Sequence, residues 1–127
     1  MIFQANIDND SVAMLPAASF PGRIVVVDSE EMVDAACDDL QHHERIGFDT
    51  ETRPSFRSGV SYKVSLLQLS TPSTCYLFRL SKIRLSNRIL KILGSRRILK
   101  VGVDVAGDIR ALRELREFKA DGFVDLQ

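Results

Sequence analysis

Cys37 and Cys75 are the only cysteines in 127 residues. One falls in a helix-like segment and the other in a strand-like one, which argues against a disulfide framework and makes both small core residues rather than nucleophiles. No apolar run approaches the ~18 residues needed to cross a bilayer. The start of the chain carries Asp8 and Asp10 and no basic segment ahead of an apolar stretch, so it does not read as a signal peptide. The expected compartment is the cytoplasm, with no membrane partner. Repeats and low-complexity tracts are absent. Histidine is scarce too: His42 and His43 are adjacent, so their side chains diverge, and no cysteine or third histidine joins them as a metal ligand.

Net charge is also missing, but only in sum. Residues 1–51 hold eleven acids and two bases, residues 52–78 three bases and no acid, and residues 79–119 twelve bases and four acids. The two halves are opposite in sign. A basic half beside an acidic one is what phosphates need when they approach a negatively charged centre; solvated helix faces are the alternative.

What is present is the composition of one globular domain, 45% apolar and 27% charged. Residues 1–23, punctuated by Pro16, Pro21 and Gly22, read as an arm anchored by Ile7, Leu15 and Phe20. Ile24 to Val27 is a short strand. Asp28 and Glu31 stand at capping-box spacing ahead of a helix whose modest stripe is Met32, Ala35, Ala36, Asp39 and Leu40, with the two histidines at its end favouring the helix dipole. Strands follow at 46–51, 63–70 and 74–80, the last two joined by Thr71-Pro72-Ser73, and short connections make these three antiparallel neighbours. A helix over 84–93 closes at Gly94. A strand over 98–103, a helix over 105–115 and a final strand over 123–126 complete the chain. The helix 105–115 turns Val105, Ile109, Leu112 and Leu115 inward and Arg110, Arg113 and Arg116 outward. This order predicts an α/β domain with a mixed five-stranded sheet, right-handed crossovers and helices on both faces.

The chemistry lies in Phe48-Asp49-Thr50-Glu51-Thr52. On a strand, Asp49 and Glu51 share one face while Phe48 and Thr50 share the other. Paired carboxylates repel and lose hydration when partly buried, which protonation or a divalent cation relieves. Hard oxygens on a rigid strand suit Mg²⁺ or Mn²⁺, and Arg53 and Arg57 follow in a Pro/Gly/Ser turn region as guanidinium groups fitted to phosphate. A third acid, Asp108, stands in the first turn of helix 105–115, after Gly102 and Gly107, which allow close backbone approach. If the strand before it lies beside the first antiparallel strand, Asp108 meets Asp49 and Glu51. The alternative is an acid stabilised by the helix dipole.

These segments carry a resemblance. Ile46-Gly47-Phe48-Asp49-Thr50-Glu51, Lys63-Val64-Ser65-Leu66-Leu67-Gln68-Leu69 and Cys75-Tyr76-Leu77-Phe78 resemble the opening of a DEDD-superfamily 3′→5′ exonuclease of the ribonuclease D and Werner-syndrome exonuclease type. Lys100-Val101-Gly102, Gly107-Asp108 and Ala111-Leu112 are similar to its second motif, and Phe123-Val124-Asp125-Leu126 to the strand that comes next. The resemblance spans residues 24 to 127. It implies a ribonuclease H-like fold, two divalent ions (Mg²⁺ or Mn²⁺), and a DNA or RNA 3′ end as the partner. Asp49 would bridge both ions, Glu51 would bind the one that activates water and Asp108 would help hold the other. Thr50 and Thr52 would touch the terminal nucleotide, and Arg53, Arg57 and Lys63 are candidate phosphate contacts, with Gln68 structural.

The sequence departs from the family at its third motif, Tyr-x-x-x-Asp. Neither Tyr62 nor Tyr76 has Asp four residues later, and neither histidine offers His-x-x-x-x-Asp. Asp125 matches a strand position rather than a ligand, and Asp104 adds a negative charge where relatives often carry a neutral residue. The expectation is therefore a domain over 24–127 that is incomplete at its C-terminal side, lacks the last helices, and hydrolyses nucleic acid poorly. Competing readings are a non-catalytic nucleic-acid-binding module on the same fold and a protein-interaction domain with solvated acids.

Overall fold

The computed structural model of the chain describes residues 20–52 and 63–127. Ile7 and Leu15 of the arm, Arg53, Arg57 and Tyr62 lie outside the described residues. The elements are β1 (Arg23–Val27), α1 (Glu30–Leu40), β2 (Arg45–Thr52), β3 (Val64–Ser70), β4 (Thr74–Arg79), α2 (Asn87–Leu93), β5 (Leu99–Gly102), α3 (Val105–Leu115) and β6 (Phe123–Asp125).

The described strands form one six-stranded sheet in the order β1-β4-β3-β2-β5-β6. The expected count of five was one short. β1 joins the edge by pairing parallel to β4, because its β-branched run Ile24–Val27 finds an open strand edge there. Only β3 runs against the others: it is antiparallel to β2 and β4, while β2, β5 and β6 are parallel neighbours. β3 is buried along nearly its whole length, as a central strand must be.

Helices were expected on both faces. Among the described residues all three lie on one. Val33, Ala36, Cys37 and Leu40 of α1, Ile89, Ile92 and Leu93 of α2, and Val105 and Leu112 of α3 share a single core with Phe48, Leu67, Leu69, Tyr76 and Phe78. The opposite face gathers Leu66, Cys75 and Leu77 with Phe20, Ile24 and Val26. The reason is topological. β1-α1-β2, β4-α2-β5 and β5-α3-β6 all step in the same direction across the sheet. Right-handed crossovers that all move one way place every helix on the same side.

Local signals place the helices with some corrections. The α1 cap is Ser29, whose Oγ accepts the Met32 N–H at 3.3 Å, rather than Asp28. Its buried stripe is Val33, Ala36, Cys37 and Leu40; Ala35 is exposed. His42 and His43 do turn back on the helix end, to the Asp38 carbonyl at 2.5 Å and the Asp39 carboxylate at 3.3 Å. α2 begins at Asn87, three residues later than its apolar spacing predicts. The chain first turns at Arg79–Ile83, so Ile83 and Leu85 are buried from a non-helical segment and Ser86 occupies the cap position. α3 falls where the 3.6-residue period puts it, with Arg110, Arg113 and Arg116 exposed.

Candidate active site

β2 outruns its neighbour. β5 pairs with it only from Arg45↔Leu99 to Gly47↔Val101, and the chain then leaves the sheet into α3. This leaves the carboxyl end of β2, Phe48 to Thr52, open on that side, and such strand ends are where open α/β sheets bind ligands. Gly102 makes the departure possible, because a Cβ there would sit 2.5 Å from the Phe48 carbonyl oxygen. Gly107 has no such duty: the nearest atom to a Cβ there belongs to the Asp104 side chain.

Asp104 precedes α3 in the left-handed region, with φ of 57°. Its backbone N–H and that of Val105 donate to the Asp125 carboxylate at 3.2 and 3.1 Å. These two bonds satisfy the first donors of α3, and the Gln127 N–H donates to the same carboxylate at 3.0 Å. They hold Asp125 below the usual carboxylate range, the Gln127 bond contributing most. Asp125 is thus a structural anchor that pins the start of α3 to β6. Asp125→Ala is expected to lower stability, as losing a helix N-terminal acceptor does, measurable as a lower urea midpoint.

Through that anchor Asp108 arrives beside β2. The Thr50 hydroxyl donates to Asp108 Oδ1 at 2.7 Å, joining residues 58 apart in sequence. Asp49 Oδ1 accepts the Thr50 backbone N–H at 2.8 Å. Thr50 therefore orients two carboxylates, one with its side chain and one with its backbone. Since Thr50 faces the helices, alternation turns Asp49 and Glu51 to the other face. The three acids surround the strand end from both sides instead of sharing one face, and among the described residues no group of three or more His, Cys, Asp or Glu side chains is gathered as a ready metal cage.

They nonetheless feel one another. Burial pushes the Asp108 carboxyl up to about 6, opposed by the Thr50 hydrogen bond and reinforced by the charges of Asp49, Asp104 and Asp125. Burial also raises Glu51, and Asp49 and Asp108 add to the shift. Asp49 is raised by burial against the Thr50 N–H. None of the three enters an ion pair with a described residue. Asp108 Oδ2 is buried with no hydrogen-bond partner among the described residues. Unpaired acids kept this close are strained unless a proton or a cation joins them.

Of the remaining predicted site residues, Thr52 is exposed at the end of β2. Lys63 reaches from the start of β3 to α3, with Nζ 3.4 Å from the Glu114 carbonyl oxygen. Gln68 is the direct cross-strand partner of Asp49, and its amide nitrogen is buried without a hydrogen-bond partner among the described residues. Lys100, read only as part of a motif, is fully buried. Its Nζ donates to the carbonyls of Ile92, Ser95 and Ile98 at 2.8, 2.7 and 2.6 Å. A lone lysine inside the apolar run Ile98-Leu99-Lys100-Val101 was the signal available in the sequence.

A family model described as 3′-5′ exonuclease matches residues 24–127. The chain belongs to this 3′-5′ exonuclease family. It is 32% identical over 118 residues to the mouse (Mus musculus) bifunctional 3′-5′ exonuclease/ATP-dependent helicase WRN, a match covering 88% of this chain and 8% of that protein. Among solved structures, Trypanosoma brucei RNase D in complex with RNA is 25% identical with a TM-score of 0.73, over 85% of this chain and 39% of that one. The EXD2 exonuclease domain soaked in Mg and GMP is 30% identical with a TM-score of 0.71, over 83% of this chain and 57% of that one. The chain thus spans well under two thirds of these relatives. Its mixed sheet has the ribonuclease H-like architecture of the exonuclease domains it matches.

Proposed function

We propose that the chain trims nucleic acid from the 3′ end by phosphodiester hydrolysis, with Asp49, Glu51 and Asp108 holding two divalent ions, Mg²⁺ or Mn²⁺. Residues 24–127 would form the nuclease domain, preceded by an N-terminal arm over residues 1–23. The observation that carries this reading is Asp108. Its carboxyl is half-buried, pushed up to about 6, bonded through one oxygen to Thr50 and orphaned at the other.

The donor set fits hard cations: three carboxylates and no described ammonium or guanidinium paired to them. Bound there, such ions supply an activated water and charge compensation for the leaving 3′ oxygen. The protein's own part is orientation. Thr50 aims Asp49 and Asp108, Asp125 holds α3 in place, and Phe48 packs edge-on against Phe123 with ring centroids 4.9 Å apart, bracing β2 against β6. The backbones of Thr50 and Thr52 and the side chains of Arg53, Arg57 and Lys63 are left to meet the terminal nucleotide and its phosphates. Without Tyr-x-x-x-Asp, no side chain of this sequence is assigned to orient the attacking water, so hydrolysis by these 127 residues is expected to be slow.

Two measurements test this. Saturating Mn²⁺ should raise the melting temperature of the chain, since a ligand at tenfold over its Kd adds about 1.4 kcal/mol of stability; Asp49→Ala should lose that rise. A 5′-labelled oligonucleotide should shorten slowly from its 3′ end in Mn²⁺, and not at all with Asp49→Ala. Unchanged melting in Mn²⁺ together with an intact oligonucleotide would sink the assignment.

A further inference from the structure

The rim that carries the three acids continues into a groove the proposed chemistry does not use. A cross-strand row runs Glu51, Leu66, Arg79 over β2, β3 and β4. Arg79 therefore lies two strand spacings, about 10 Å, from Glu51 on the same edge of the sheet. Its Nε is buried without a hydrogen-bond partner among the described residues. The next residue, Leu80, opens a groove of about 490 Å³ between the segment after β4 and the last turn of α3, lined also by Arg84, Leu85, Leu115 and Arg116.

The groove combines an apolar floor with cationic edges. Arg116 is already fixed, donating to the Leu85 carbonyl at 3.1 Å and to Asn87 Oδ1 at 2.8 Å. Ordering it for a ligand costs little side-chain entropy. Arg84 is exposed and makes no ion pair among the described residues. Lys63 reaches the same turn of α3 through the Glu114 carbonyl. The nearby acid Glu117 is turned to Arg113, at 3.3 Å.

We propose that this groove binds single-stranded nucleic acid a few nucleotides inward from the 3′ end held at the carboxylates. Phosphates lie against Arg84 and Arg116, and a base or sugar lies over Leu80 and Leu115. This rests on the exonuclease reading and deepens it. The occupant follows from the chemistry: guanidinium groups fork onto phosphate oxygens, and leucine side chains accept the flat face of a base but offer nothing to a purely ionic ligand.

The test is binding of a fluorescein-labelled oligothymidylate to the full 127-residue chain in EDTA, followed by anisotropy over a range of salt. Arg84→Glu should weaken binding about tenfold, and the salt dependence should flatten by about one phosphate contact. Arg84→Gln should show a smaller loss. Arg97→Glu, at the far end of the sheet before β5, should bind as the parent does. Equal binding by Arg84→Glu, with the parent still gaining stability from Mn²⁺, would overturn the groove and leave the exonuclease reading standing. A parent chain that binds no oligonucleotide in EDTA would overturn the groove, while the melting and cleavage assays in Mn²⁺ decide the exonuclease reading separately. Thermal melting of each variant shows that it is folded, as an exposed position predicts.

Discussion

Asp108→Asn is expected to make the protein more stable and to end its response to metal. In the fold the Asp108 carboxyl titrates at about 6 against an ordinary 3.8. The folded state therefore favours the protonated form. The stabilisation is complete below about pH 4 and is lost as pH rises through 6, after which stability is flat. Asparagine keeps an oxygen for the Thr50 hydroxyl and is neutral at every pH. At pH 7.5 the variant should exceed the parent by about 1 kcal/mol, allowing for solvent screening of a half-exposed group, or about 4 °C in melting temperature. Between pH 4 and 6 the parent should lose more stability than the variant, which keeps only the smaller contributions of Asp49 and Glu51. Mn²⁺ should reverse the order, because only the parent offers the third carboxylate. Equal melting of the two proteins across that pH range would show that Asp108 is an ordinary solvated acid.

Lys100→Met should cost about 3 kcal/mol, since it removes the ammonium donor from the Ile98, Ser95 and Ile92 carbonyl oxygens, of which only the Ile92 oxygen keeps a backbone N–H from Ser95. Burial pulls the ammonium down to about 8, so the group is expensive to bury, and the three carbonyls offset that expense. Its Nζ lies over the Phe123 ring, 5.2 Å from the centroid. One side chain thereby ties the end of α2, the turn at Ser95 and the start of β5 to β6, and so sets the height from which α3 departs. Urea denaturation of Lys100→Met should show the lower midpoint with an unchanged slope. A loss below about 0.5 kcal/mol, the range of ordinary surface substitutions, would show that water already serves those carbonyls.

The exonuclease signature and the metal cage separate at this site for a physical reason. Motif residues mark where carboxylates stand along the chain, but the geometry of a bound ion depends on which face of a strand each one leaves. Asp49 and Glu51 leave one face and Asp108 approaches Thr50 from the other. Drawing them onto common ions requires rotation of their side chains, which their mutual repulsion opposes until a cation arrives.

Much of this was legible from neighbours in the chain. Alternation along Phe48–Glu51, the helical period from Val105 to Leu115 and the turn at Thr71–Ser73 are set by contacts a few residues long, and each stands where its pattern predicts. The pairing of β5 with β2 stood in the sequence only as a condition, and the fold supplied it. Three-dimensional packing alone decided the rest. It put every described helix on one face through three crossovers that step the same way, recruited β1 to the sheet edge, gave Asp125 to the start of α3 and Lys100 to three carbonyls, and brought the Thr50 hydroxyl to Asp108. Those partners lie far apart in chain order, and a residue's own neighbours carry no information about which distant group will satisfy it.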